Sequence, residues 1–330
     1  MKSLFGRRIR RLAALPATLV VAVGMTACGE TSTESAQPAT GGGFPLTISS
    51  CGREVTFDAP PQRVVTVGSI AAPMIAAAGA GDRVVARTFE TAPFPGKYAD
   101  QLAHAEFVAP TAELAREEII ARTPDVVVSF EGAAVTADDL AAAQIPLVVT
   151  RGYCQNAAGS FDDIFDDIEL YGKLFGTEPA AAAEVEALRA RVASVTDKTS
   201  AATSAEPRPA AALILSRDGS TLNAYGGTST VDTQMQMLGL SNIFGDVDKR
   251  SFGANTETLI QRDPAVVILL TQGDQTPESA RQALRSRPEL ADVEAIRADR
   301  IIAIPFGYTG PGPVAVEGLE VLANELADLR

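Results

Sequence analysis

The sequence predicts an α/β protein of two lobes, each a mostly parallel sheet with flanking helices, joined by one long rigid α-helix. Three observations lead there. Short, continuous apolar runs alternate with helix-like stretches in both halves of the chain. A local pattern around Glu117 returns around Glu257. Between the halves, an amphipathic stretch continues from Ala180 to about Thr199 without Gly or Pro.

The first half supplies four strand candidates. Residues 63–67 (Arg63-Val64-Val65-Thr66-Val67) form the first, followed by Gly68-Ser69 and a helix-like stretch to Gly79. Residues 83–87, 125–130 and 146–150 are the others. Runs that are apolar throughout, rather than alternating, fit strands buried on both faces of a parallel sheet. Helical segments between them give the βα alternation of α/β folds. The second half repeats the scheme at 210–215, 265–270 and 300–304. Thr276-Pro277-Glu278 combines an N-cap, a Pro at the first helical position and an acid in the first turn, which predicts a helix to about Arg285. Residues 314–329 read as a terminal helix.

Glu117 is followed seven residues later by Pro124 and then Val126-Val127-Val128; Glu257 is followed seven residues later by Pro264 and then Val266-Val267-Ile268. The offset is 140 residues in both cases. This internal echo argues for two similar, Rossmann-like lobes. In the linking stretch, Val185, Leu188, Val192 and Val195 follow three-four-three spacing and so share one helical face. A helix there would hold the lobes at a nearly fixed separation. Pro207 and Pro209 then mark a polar link.

Length and composition bound the function. A chain of 330 residues, 46% hydrophobic, has enough apolar material for about two domains. A net charge of -13 excludes the basic footprint of a nucleic-acid binder. Three Cys are too few for a disulfide scaffold. The single His, His104, counts against metal sites built from several His and against multi-His chemistry. Its surroundings, Gln101 to Glu106, read as a solvent-side turn. No Gly-X-Ser-X-Gly elbow and no phosphate-binding Gly loop with Lys occurs. An exported hydrolase is therefore a weak alternative, and no enzyme activity, cofactor or protein-bound metal is expected.

The N-terminus reads as a targeting device. Residues 1–27 carry Lys2, Arg7, Arg8, Arg10 and Arg11 and no acid, then the apolar Leu12 to Val23. That is a secretory leader; the apolar part is short for a membrane span of about 20 residues, although an N-terminal anchor is the alternative. Arg7-Arg8 does not complete a twin-arginine pattern. Met25-Thr26-Ala27-Cys28 resembles a bacterial lipobox, which implies that Cys28 becomes a lipidated N-terminus. Without the leader, 23 basic face 41 acidic side chains, a balance that favours solubility. Residues 29–43 are small or polar and end in three Gly, a flexible tether. The expected organisation is thus leader 1–27, tether 28–44, N-terminal lobe 45–160, connecting helix and link 161–206, and C-terminal lobe 207–330. In an oxidising compartment the even remainder, Cys51 and Cys154, suggests a disulfide; closing a loop of about 100 residues would stabilise by about 4 kcal/mol in the chain-entropy view. Two unpaired buried thiols are the alternative.

These features together resemble the helical-backbone (class III) substrate-binding proteins of bacterial ABC importers, which bind ferric siderophores, haem or cobalamin. The resemblance runs from about Cys51 to the C-terminus. It is carried by Pro61-Gln62-Arg63-Val64-Val65, Glu117 with Pro124-Asp125, Leu238-Gly239-Leu240-Ser241-Asn242-Ile243-Phe244, and Glu257 with Pro264. It implies a lipid-anchored monomer on the outer face of the cytoplasmic membrane. Its partners would be a permease dimer with ATPase subunits and a small chelate ligand, which could carry Fe3+. It also implies that Glu117 and Glu257, one on each lobe, dock to Arg residues of the permease; otherwise each would simply favour a helix N-terminus. Glu118 is the competing choice in the first lobe.

Open α/β sheets bind ligands at the carboxyl ends of their strands. The loops there offer Ser69, Phe89, Phe130, Arg151 and Tyr153 from the first lobe. The second offers Arg217, Tyr225, Arg250, Phe252, Gln272 and Tyr308. Aromatic side chains beside cations suit a large, partly apolar, partly anionic ligand. The plainer alternative has the tyrosines packed on lobe surfaces and the arginines solvated. A ferric siderophore brings its own chelation, so the single His is no obstacle. Haem would want an axial Tyr or His, for which Tyr153, Tyr225, Tyr308 and His104 are the choices. Cobalamin binders of this class often use Trp, which is absent. The Cys51 and Cys154 pair is also similar to a branch assigned to deazaflavin-cofactor precursors.

Overall fold

A computed structural model describes residues 43–90, 93–109, 113–154, 157–202, 206–216 and 218–329. The predicted leader, most of the tether, Cys28 and Arg217 lie outside the described residues.

The described chain opens with a hairpin, β1 (Leu46–Ser50) and β2 (Arg53–Phe57), paired antiparallel through a Cys51-Gly52 turn. Next come β3 (Val64–Val67), α1 (Ala71–Ala77), β4 (Val84–Thr88), α2 (Gly96–Gln101) and β5 (Glu106–Phe107). They are followed by α3 (Arg116–Ala121), β6 (Val126–Ser129), α4 (Ala137–Ala141) and β7 (Leu147–Val149). The five strands after the hairpin form a wholly parallel sheet in the order β5-β4-β3-β6-β7. Every residue of β3 and β6 is buried, as strands covered on both faces require.

Two helices follow, α5 (Phe161–Phe175) and α6 (Glu178–Ala202). Gly176 ends α5 in the left-handed conformation, φ 66°, so the chain reverses after two residues and α6 packs back as a helical hairpin. A Cβ on Gly172 would stand 2.5 Å from the Cβ of Ala181, so only Gly lets the two helices approach this closely. At 1.5 Å per residue, α6 is about 37 Å long. Its buried seam is Ala181, Val185, Leu188 and Val195, with Val192 half-buried, the face expected from the spacing.

The second half holds β8 (Arg208–Leu215), β9 (Leu222–Tyr225), α7 (Thr230–Met237), β10 (Leu240–Asn242) and β11 (Ser251–Gly253). It continues with α8 (Thr256–Arg262), β12 (Val266–Thr271), α9 (Pro277–Arg285), α10 (Glu294–Arg297), β13 (Ile301–Pro305) and α11 (Val314–Asp328). The sheet runs β11-β9-β8-β12-β13, with β10 beside the start of β8. It is mixed: β10, β12 and β13 join β8 in a parallel set, while β8–β9 and β9–β11 are antiparallel.

The two sheets are held together by more than α6. One core cluster takes Val64, Val126 and Val148 from the first sheet and Ala210, Ile268 and Ile302 from the second, under α1, α5, α7 and α11. Separate clusters fill the far face of each sheet. Helix α6 bonds to both halves. Glu184 accepts from Tyr98 Oη at 2.8 Å and pairs with Lys97, while Arg191 makes a two-bond fork to Glu320 of α11 at 2.9 and 2.6 Å. Between the two halves, the Gly159 N–H donates to the Thr228 carbonyl at 3.1 Å.

Candidate functional site

Parallel strands bring their carboxyl ends to one rim, and both sheets present that rim to the same cleft. Gly68 and Ser69 follow β3, Phe89 follows β4, Phe130 follows β6, and Tyr153 sits in the tight turn after β7. Phe306 follows β13, and Arg250 precedes β11. These seven residues line one pocket of about 170 Å3. Phe89 and Phe130 stack with centroids 5.6 Å apart, and Phe130 and Tyr153 tilt together at 5.8 Å. The Arg250 guanidinium lies over the Tyr153 ring, 5.0 Å from its centroid, so a cation–π contact crosses from one sheet's loops to the other's. Among the described residues Arg250 forms no ion pair. Enclosure by protein pushes the Tyr153 phenol up to about 12, against a smaller opposing pull from Arg250.

Phe89 holds a left-handed backbone, φ 56°, which is uncommon for a residue with a bulky side chain. Its N–H donates to the Ala109 carbonyl at 2.9 Å. The next residue, Glu90, is buried and pairs with Arg87 at 2.5 Å. Burial outweighs that guanidinium and raises the Glu90 carboxyl to about 7.

The other expected ligand residues are placed differently. Tyr225 is buried against the shared core and faces Phe306 at 6.5 Å. Burial raises its phenol. Phe252 pairs in register with Ala224, not Tyr225, so it points to the opposite sheet face, edge-on to Phe244 at 5.6 Å. Arg151 reaches toward α5, within 3.3 Å of Asp167 and 3.6 Å of Asp163 and Asp166. Gln272 donates to the Leu215 carbonyl at 3.0 Å, and Tyr308 packs half-buried against the shared core. None of these five lines the aromatic pocket. Phe306, which shares the expected rim loop 306–308 with Tyr308, does line it, because it stands directly after β13. Cys51 and Cys154 are joined in a disulfide with Cα atoms 5.2 Å apart. His104 is exposed in a turn. Among the described residues no group of three or more His, Cys, Asp or Glu is arranged to hold a metal ion.

Glu117 and Glu257 occupy the same place in their halves: each is the second residue of the helix preceding an inner strand, and each is exposed. The Glu117 carboxylate takes two bonds from Arg116, at 2.8 and 3.1 Å. Its own backbone N–H and that arginine hold it below the ordinary carboxylate range. Glu118 instead accepts from the Ala115 N–H at 3.2 Å, which commits it to the helix start. On the other helix, Asn255 Oδ1 caps Glu257 and Thr258, at 2.9 and 3.2 Å.

Two lobes with carboxyl-end loops facing across a cleft define a bilobal binding protein. The sequence model described as "Periplasmic binding protein" matches residues 64–308, and the chain belongs to that family. A solved structure of an ABC-type Fe3+-hydroxamate transport system from Saccharomonospora viridis is similar, with TM-score 0.76 and 33% identity over 86% of this chain and 99% of that one. A cobalamin-binding protein of Halobacterium salinarum is 26% identical over 85% of this chain and 74% of its own length. An ABC transporter substrate-binding lipoprotein of Bacillus subtilis is 22% identical over 86% of each chain. No helix among the described residues is long and apolar enough to cross a membrane.

Proposed function

We propose that this chain is the extracytoplasmic solute-binding lipoprotein of an ABC importer, and that it captures a ferric siderophore of the hydroxamate type. The observation that carries this reading is the interlobe pocket: Phe89, Phe130 and Tyr153 on one side, Phe306 and Arg250 on the other. Rings supply apolar area for the ligand's organic frame, and one guanidinium without a carboxylate partner suits a polarised or anionic oxygen. The chelate brings its own iron ligands, so the protein supplies none. At about 170 Å3 the pocket is smaller than the ~300–1,000 Å3 usual for such sites, so it seats part of the ligand while the rest projects from the cleft mouth. The Fe3+-hydroxamate name of the similar Saccharomonospora viridis structure points the same way. The name of the Halobacterium salinarum relative favours cobalamin as the second reading.

In this reading residues 1–27 are the leader, Cys28 carries the lipid, and the tether leads into the lobes. Glu117 and Glu257 meet Arg residues of the permease dimer, giving orientation and docking rate more than affinity. The chain works as a monomer and performs no catalysis. The experiment is a tyrosine-fluorescence titration with ferric hydroxamates, haem and cobalamin. Saturable one-site quenching by a ferric hydroxamate is expected; saturation by cobalamin alone would replace the first reading with the second.

A further inference from the structure

The turn Arg151–Tyr153 contributes one ring to the pocket, and its two flanks are gripped by adjacent residues of a different element. Upstream, the Val149 N–H donates to Ser50 Oγ at 2.7 Å. Downstream, Cys154 is disulfide-bonded to Cys51. Ser50 is buried and ends β1; Cys51 opens the turn to β2.

The hairpin turn is unusual for its sequence. Cys51 and Gly52 both have positive φ, 47° and 83°, and join strands paired Ser50 to Arg53. Two-residue hairpin loops with both φ positive favour Asn-Gly or Asp-Gly. Cys lacks the local polar compensation that makes Asn tolerable there, so Cys51 is a poor choice for the turn alone. A residue kept against its backbone preference points to a role elsewhere.

The rest of the turn has its own anchors. The Arg151 N–H donates to Asp167 at 3.0 Å. Gly152 sits against Pro311, where a Cβ would stand 2.1 Å from that ring. Tyr153, the last residue of the turn, donates its N–H back to the Thr150 carbonyl at 3.0 Å, the Cys154 N–H donates to the Arg151 carbonyl at 2.8 Å, and the Ala157 N–H to the Cys154 carbonyl at 3.0 Å; these backbone bonds are all local. Its ring is the one that both Phe130 and Arg250 touch.

We propose that Ser50-Cys51 is a clamp that positions Tyr153 in the pocket wall, with the Cys51–Cys154 bond tying the downstream flank, whose backbone bonds are otherwise local, to the hairpin. The clamp therefore governs ligand affinity, not only stability. This rests on the reading of the pocket as the ligand site. The residues are positioning residues: neither Cys lines the pocket.

The test uses the full chain labelled with 3-fluorotyrosine, the Tyr153 fluorine signal being the one that vanishes in Tyr153→Phe. The variant Cys51→Asn with Cys154→Ser removes the crosslink and restores a favourable turn residue, so the hairpin is retained. Far-UV circular dichroism confirms the fold. The Tyr153 signal is expected to shift and broaden while the other tyrosine signals stay. Affinity for ferric desferrioxamine B is expected to fall about tenfold, the scale of one lost aromatic contact. Ser50→Ala, with the disulfide intact, should move the same signal by less. An unchanged Tyr153 signal in the crosslink variant overturns the clamp, as does unchanged affinity for the probe. Should the wild-type chain bind no ferric hydroxamate, the functional reading falls, and the fluorine signal alone decides the clamp.

Discussion

At Glu90 and Asp167, burial outweighs a neighbouring guanidinium, and both carboxyls are raised to about 7. An ordinary carboxyl titrates near 4. Between those values the folded chain keeps a proton that the unfolded chain has released, so stability falls as pH rises from about 4 through about 7. Asp167→Asn keeps an acceptor for the Arg151 N–H but cannot ionise. The difference in urea midpoint between pH 5 and pH 8 should therefore be smaller in the variant than in the wild type; equal differences would show that Asp167 does not titrate in this window. Residues also mark where the sequence stops being legible. Loop position placed Phe89, Phe130 and Tyr153 at the rim, because a residue just beyond a parallel strand reaches it; Arg250 arrives there by a different route, from the segment before β11. Loop position did not give the direction of a side chain. Phe252 faces away because strand alternation pairs it with Ala224. Arg151 is turned toward three aspartates on α5, a contact that no local pattern announces.

Among the elements, the strands were legible because buried parallel strands are apolar throughout, as in Val126–Ser129 and Val266–Thr271. The hairpin at Leu46–Phe57 was not: its turn, Cys51-Gly52, lacks the usual Asn-Gly signature. The mixed character of the second sheet was also hidden. It arises from the antiparallel β9, which follows β8 after a short connection, where crossover helices would have kept the strands parallel. The 140-residue echo did translate into structure, placing α3 and α8 alike before inner strands β6 and β12. If their exposed glutamates orient the protein on a permease, reversing charge at both, Glu117→Lys with Glu257→Lys, should abolish most uptake in cells. Ligand affinity of the purified double variant should stay unchanged. A loss of affinity there would move these residues from docking to ligand binding.

For the whole molecule, the connecting helix is one arm of the α5–α6 hairpin, and the shared core beneath both sheets is a second brace. Closing the cleft by a large hinge motion would have to shear that core, whose packed side chains resist continuous deformation. Small-angle scattering with and without saturating ferric hydroxamate should give the same radius of gyration within error. A contraction like that of a hinge-closing binder would contradict the brace.

In the proposed reading, solute is held between the lobes by rings from both. Calorimetric titration of a ferric trihydroxamate into the wild type, Phe89→Ala and Phe306→Ala tests it directly, one ring being removed from each side of the pocket. Single-site binding by the wild type, weakened about tenfold or more in each variant, is the predicted result. Equal affinity in all three proteins would place the ligand outside the aromatic pocket.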